Sequence, residues 1–326
     1  MGAGEAVHGS FHCAGVRIDE IGPSEAVAIL CGSRYGTARQ THLCNSYTLS
    51  VAMRDLSYRQ LLNASDLNFA DGHYVALVGR WRGGKVMTER VYGPTLMLRT
   101  IDQGRDRGLR HYLYGSDPRT VERLAAALRE RYPGVEIVGV ESPPFRPLTA
   151  GEEQSLFERV RAAEPDVFWV GLGTPRQDTF VDRYAERLGC TVVPVGAAFD
   201  FHSGNKRSAP ALAQKLGLEW AFRFATEPVR LWRRYVFGIP VFMVGVVTDR
   251  FFRGRPDKGA RPATPPAGRT EFPVNGVTPE VTAVTVDGVE FPAEVDTPLN
   301  GPDAQAEALK EAPEEAPKPL ISEHPA

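Results

Sequence analysis

From His111 to Gly196, apolar and polar positions fall into blocks that alternate between strand and helix periods. The run His111-Tyr112-Leu113-Tyr114 reads as a buried strand ended by Gly115. Asp117 then supplies an N-cap and Pro118 a first helical position. Val121, Leu124 and Leu128 give that helix one apolar face. The pattern recurs with a strand over Val135–Val140 and a helix around Glu152–Ala163. Asp166 leads into a strand over Val167–Val170, a helix near Gln177–Leu188 stops at Gly189, and Thr191–Val195 is the last strand. Strands separated by helices pair in parallel, because each crossover returns to the same edge of one sheet. Upstream, Thr41–Cys44 reads as a strand running into Asn45. Helices are expected near Tyr47–Met53, Tyr58–Asn63 and Pro94–Gln103, with a loop at Phe69-Ala70-Asp71-Gly72. The expected fold class is α/β: a Rossmann-like, mostly parallel sheet with flanking helices.

The pattern changes on either side of this core. Residues 1–15 read as a flexible start, and 16–222 as the α/β domain. Residues 223–255 form a C-terminal amphipathic helical appendage. Between Val229 and Arg255, Arg230, Arg233, Arg234, Arg250, Arg253 and Arg255 stand against one acid, Asp249, around the apolar run Val236–Val247. Such a segment is either a helix packed on the core through its aromatics or one lying at a membrane surface, with arginines on lipid phosphate. The apolar run favours the membrane, and Pro240 is expected to split it into two short helices. Residues 256–326 are rich in Pro, Glu and Ala and poor in aromatics, and read as a disordered acidic tail with a weak apolar patch near Val281–Phe291.

Composition narrows the function. A formal net charge of -2 argues against a general nucleic-acid binder. Cys13, Cys31, Cys44 and Cys190 form no CxxC pair, so reduced thiols in a cytoplasmic protein are expected. Met1–Ser10 lacks the basic and apolar blocks of a secretory leader. No apolar run reaches the roughly 20 residues of a spanning helix.

The candidate chemistry lies at strand ends. The loop Gly171-Leu172-Gly173-Thr174-Pro175-Arg176-Gln177-Asp178 follows a strand and opens a helix, a position suited to a phosphate or sugar. It also reads as an ordinary tight turn. It is not a dinucleotide fingerprint, since the third glycine falls at Arg176, and it lacks the Gly-Lys-Ser/Thr ending of a P-loop. Asp71-Gly72 is a turn signal, and Asp71 is also placed to act as a general base. Asp200 is either a metal ligand or, more simply, a residue binding loop amides. No DxD motif occurs in the core, which leaves arginines and helix N-termini to neutralise a diphosphate.

Taken in order, these pieces resemble the WecG/TagA/CpsF family of bacterial glycosyltransferases. The residues that carry the resemblance are Asn45, Asn63-Ala64-Ser65-Asp66, Ala70-Asp71-Gly72, Glu89-Arg90-Val91-Tyr92-Gly93 and Tyr132-Pro133-Gly134. They continue with Pro165-Asp166, the Gly171–Asp178 loop, Phe199-Asp200-Phe201, Gly217–Arg223, Glu227-Pro228 and Arg230–Tyr235, within residues 15 to 245. The resemblance implies an inverting transferase that uses no metal and no cofactor. It would move a hexose or N-acetylhexosamine-type sugar from a UDP donor to a polyprenyl-diphosphate-linked sugar, for teichoic acid, exopolysaccharide or a related polymer. It implies that Asp71 is the catalytic base and that Asn45, Arg90, Gly171, Gly173, Gln177, Arg223 and Arg230 bind substrate. It further implies work on the inner face of the cell membrane and is compatible with a homo-oligomer. The sequence departs from the family pattern at Leu43, Asp178, Ala197-Ala198 and Arg207-Ser208. Two other readings remain open: a non-catalytic membrane-peripheral scaffold of a polysaccharide assembly complex, and a Rossmann-type oxidoreductase.

Overall fold

The computed structural model describes residues 9–81, 89–206, 209–210, 219–236 and 238–252, and two short strands at 284–286 and 289–291. It divides into two units, Met1–Arg269 and Thr270–Ala326. In the second unit the described part is an antiparallel pair, Val284–Val286 with Val289–Phe291. It falls at the weak apolar patch seen in the sequence.

The first unit begins with a hairpin, β1 (Ser10–Cys13) and β2 (Val16–Asp19). Its two-residue turn holds Ala14 at φ 53° and Gly15 at φ 78°. Both lie in the left-handed region that the tightest hairpin turn requires. The loose start expected through residue 15 therefore gives way at Ser10, and Phe11 and Cys13 are buried. Helix α1 (Pro23–Cys31) follows.

The main sheet has six strands: β3 (Arg39–Cys44), β4 (Leu67–Ala70), β5 (Arg110–Gly115), β6 (Glu136–Glu141), β7 (Val167–Gly171) and β8 (Thr191–Pro194). Their order is β4-β3-β8-β7-β5-β6 and every pairing is parallel. Both faces are covered, so the strands read as continuous apolar runs. Along β7 the side chains alternate between faces. Val167 and Trp169 enter one core, while Phe168 and Val170 enter the other.

The helices divide accordingly. On the first face lie α1, α5 (Gly93–Gly104), α6 (Pro118–Arg131) and the short α9 (Ala198–His202). On the other lie α2 (Ser46–Arg54), α3 (Leu56–Ala64), α4 (His73–Trp81), α7 (Ala150–Ala163) and α8 (Arg176–Leu188). The chain leaves β5 for β6 in one direction and leaves β7 for β8 in the other. The sheet thus has a topological switch point between the ends of β5 and β7, where ligands of open α/β sheets collect.

The appendage comprises α10 (Glu219–Thr226), α11 (Pro228–Val236) and α12 (Gly238–Phe252). Pro240 sits in the first turn of α12, where its missing N–H costs nothing. Helix α12 packs on α2, and Phe242 and Val246 are buried in the core of the hairpin side. At 15 residues, α12 is about 22 Å long, short of the ~30 Å hydrocarbon layer. No helix among the described residues is long and apolar enough to cross a membrane.

Candidate active site

The carboxyl edge of the sheet brings together the residues singled out in the sequence. Asn45 follows β3 and caps α2. Its Oδ1 accepts from the backbone N–H of Tyr47 at 3.0 Å and of Thr48 at 3.1 Å. This leaves the amide Nδ2 to donate to Asp71 Oδ2 at 3.4 Å. Asp71 follows β4, which pairs with β3 in register, Cys44 opposite Ala70. The two residues are neighbours because their strands are neighbours.

The other oxygen of Asp71, Oδ1, accepts from the backbone N–H of Gly93 at 3.1 Å. Gly93 opens α5, so the carboxylate meets the positive end of a 12-residue helix. Asp71 is half-buried, with its backbone N–H tied to Cys44 O. A carboxylate held at both oxygens and open to solvent on one side is positioned to accept a proton.

Arg90 lies on the segment just before α5. The next residue, Val91, donates to Ala70 O at 2.8 Å, which keeps this segment at the Asp71 end of β4. The Arg90 guanidinium stacks over the Tyr92 ring at 4.3 Å.

The glycine loop crosses the same edge after β7. Gln177, at the start of α8, is buried, and its Oε1 accepts from Gly173 N–H at 3.2 Å. Its side chain thus braces the loop. A Cβ on Gly196, just past β8, would meet that Oε1 at 3.1 Å, so only glycine fits comfortably there. Gly171 and Gly115 approach closely across the switch point, where a Cβ on Gly115 would lie 2.6 Å from the Gly171 backbone. Gln177 lies against Gly196 past β8, and β8 is two strand spacings, roughly 10 Å, from β4. Asp71 and Gln177 therefore stand along the same edge of the sheet, separated by β3.

Below the loop lies a polar network that sequence reasoning missed. Asp178 is 1% exposed, and its carboxylate binds His42 Nδ1 at 2.9 Å and the Tyr58 hydroxyl at 2.7 Å. Burial and the Asp178 charge push the Tyr58 pKa up. The network ties β3, α3 and α8 together directly beneath Asn45 and Gln177. Its signal in the sequence was a histidine inside an apolar strand. Gly93 was also missed as a donor to Asp71, although the Gly-Pro helix start marked its position.

Asp200 pairs with Lys206 at 3.2 Å. His202 Nε2 lies 3.0 Å from Pro94 O, and burial lowers its pKa. Arg223 and Arg230 fall on α10 and α11, but their side chains lie outside the described residues.

A parallel sheet with its polar groups, a held carboxylate and helix N-termini on one edge defines a Rossmann-like α/β enzyme. Comparison with known proteins narrows the class: residues 11–256 match the model of the Glycosyl transferase WecG/TagA/CpsF family. The chain belongs to that family and is a glycosyltransferase. Among curated proteins it is similar to the N-acetylglucosaminyldiphosphoundecaprenol N-acetyl-beta-D-mannosaminyltransferase of Bacillus spizizenii. The two are 28% identical over 206 residues, which is 63% of this chain and 77% of the relative.

Proposed function

We propose that this glycosyltransferase moves a hexose or N-acetylhexosamine-type sugar from a UDP donor to a polyprenyl-diphosphate-linked sugar, inverting the anomeric centre. The observation that carries the reading is the Asp71 carboxylate, fixed by Gly93 N–H and Asn45 Nδ2 at the open edge of the sheet. The relative's name supplies the acceptor chemistry, an N-acetylglucosaminyl diphosphate on undecaprenol.

In this reading Asp71 takes the proton from the acceptor hydroxyl as its oxygen attacks the anomeric carbon. The bond from that carbon to the UDP oxygen breaks, and UDP leaves with the electron pair. Attack and departure lie on opposite faces of the sugar, which gives inversion. Negative charge grows on the diphosphate, and Arg90, Arg223, Arg230 and the turn at Gly171 and Gly173 are assigned to meet it. Holding donor and acceptor together supplies much of the rate. The appendage keeps the enzyme at the inner membrane face, where a lipid-linked acceptor is confined and its effective concentration is raised.

The test is a donor screen. The full chain is mixed with single UDP-sugars and polyprenyl-diphosphate N-acetylglucosamine, and UDP release is read. Release that requires both partners is expected. Absence of release with every donor would refute the reading.

A further inference from the structure

A helix in water normally turns polar residues outward. Helix α4 turns large apolar residues outward as well as inward. Its inner face is Val75, Ala76, Val78 and Gly79, all buried. Its outer face carries Tyr74 at 38%, Leu77 at 45% and Trp81 at 54% exposure, with Arg80 among them and no acid. Tyr74, Leu77 and Trp81 recur at i, i+3 and i+7, so they form one stripe.

This stripe is not one of many. Eleven large apolar side chains are exposed among the described residues, and nine sit on α4, α11 and α12. Helices α4 and α12 pack against the same strand, β1, and share one buried core. The exposed Met243, Val244 and Val247 of α12 thus extend the apolar surface on the same flank. Helix α4 also starts two residues after Asp71, so whatever it docks against lies at the lip of the site.

We propose that the outer face of α4 is a second membrane contact, seated in the headgroup region of an anionic phospholipid bilayer. The occupant is a lipid surface because the stripe combines an aliphatic residue with Tyr and Trp, whose polar tips suit the headgroup level, and an arginine on a helix that carries no acid. Its continuity with the appendage supports the same occupant. The contact sets the mouth of the Asp71 site against the bilayer and rests on the lipid-linked acceptor reading above.

The test uses the full chain and vesicles of phosphatidylethanolamine and phosphatidylglycerol. Leu77→Glu should weaken vesicle binding by about tenfold or more, since it replaces an inserted apolar group by a charge. A fluorophore on Leu77→Cys should shift to the blue on vesicle addition, a readout that survives if the glutamate variant folds poorly. The native cysteines are buried and leave the label selective. Unchanged vesicle binding by Leu77→Glu together with an unshifted label would overturn the proposal. So would a variant that binds vesicles normally but loses self-association in vesicle-free solution, which would assign the face to a second copy. No sugar transfer is measured, so a failed donor screen and a failed α4 contact are separate results.

Discussion

Replacing Asp178 by alanine tests whether the buried network under the glycine loop holds the carboxyl edge together. The Asp178 carboxylate accepts from His42 Nδ1–H at 2.9 Å and from the Tyr58 hydroxyl at 2.7 Å. His42 is 0% and Tyr58 5% exposed, so water does not replace the lost acceptor. Each buried donor left without a partner costs about 1–3 kcal/mol, and the removed charge also sat in the first turn of α8. The sum is about 4 kcal/mol, or a fall in Tm of about 10 °C for a domain of this size. Tyr58→Phe removes one of the two bonds and should cost about 1–2 kcal/mol. Urea unfolding followed by far-UV circular dichroism measures both. The double variant should show a coupling energy of about 1 kcal/mol or more, because the two side chains share one bond. A loss below about 1 kcal/mol for Asp178→Ala, or strict additivity, would refute the network as a structural tie. In the folded fraction, donor KM should rise more than kcat falls, since Gln177 and its loop are what the network anchors.

Other perturbations test neighbouring parts of the account. Burial lowers the His111 pKa from its ordinary 6.5 to about 3, so between those values the unfolded chain binds the extra proton and stability falls as pH falls. The loss reaches about 2 kcal/mol at pH 5, and His111→Gln should flatten the dependence of the urea midpoint between pH 6.5 and 5. Phe242→Ala should cost about 3–4 kcal/mol by emptying a site 2% exposed, measured by the same unfolding assay. Asn45→Ser keeps a capping oxygen for α2 but removes the amide that holds Asp71, so stability should change by under about 1 kcal/mol while turnover falls about tenfold. Equal losses in both would mean that Asn45 acts only as a cap.

The phenylalanine prediction changes how the appendage is understood. Its sequence favoured a membrane-surface helix over one packed on the core, yet Phe242 and Val246 complete the core around β1 and α2. Asp249, the single acid of the basic stretch, is buried and accepts from Gly15 N–H at 2.7 Å in the hairpin turn. Truncation before α12 would thus open the core rather than merely release the enzyme from a surface. The αβ alternation from His111 to Gly196 was legible because its three helices run 13 or 14 residues and set the strands apart. The shorter elements were harder. Strand β4 has four residues, one of them Asn68, which is fully buried through bonds to Leu62 O and the Asp19 carboxylate. Only tertiary partners make such an asparagine a strand residue. Helix α4 was hidden because Tyr74, Leu77 and Trp81 on its outward face blur the period of the apolar inward one. In the site, Asn45 and Asp71 were legible by type and order. The geometry that joins them depends on the register of β3 with β4 and on a backbone amide, Gly93, that has no side-chain signature.

The central claim is that the Asp71 carboxylate removes the acceptor proton, and Asp71→Asn tests it most directly. Asparagine keeps the shape and the carbonyl acceptor for Gly93 but cannot take the proton at neutral pH. With the active UDP-sugar and polyprenyl-diphosphate acceptor, UDP release should fall by a factor on the order of 10² or more while donor affinity and unfolding midpoint stay near wild type. Turnover within a few-fold of wild type would contradict the account.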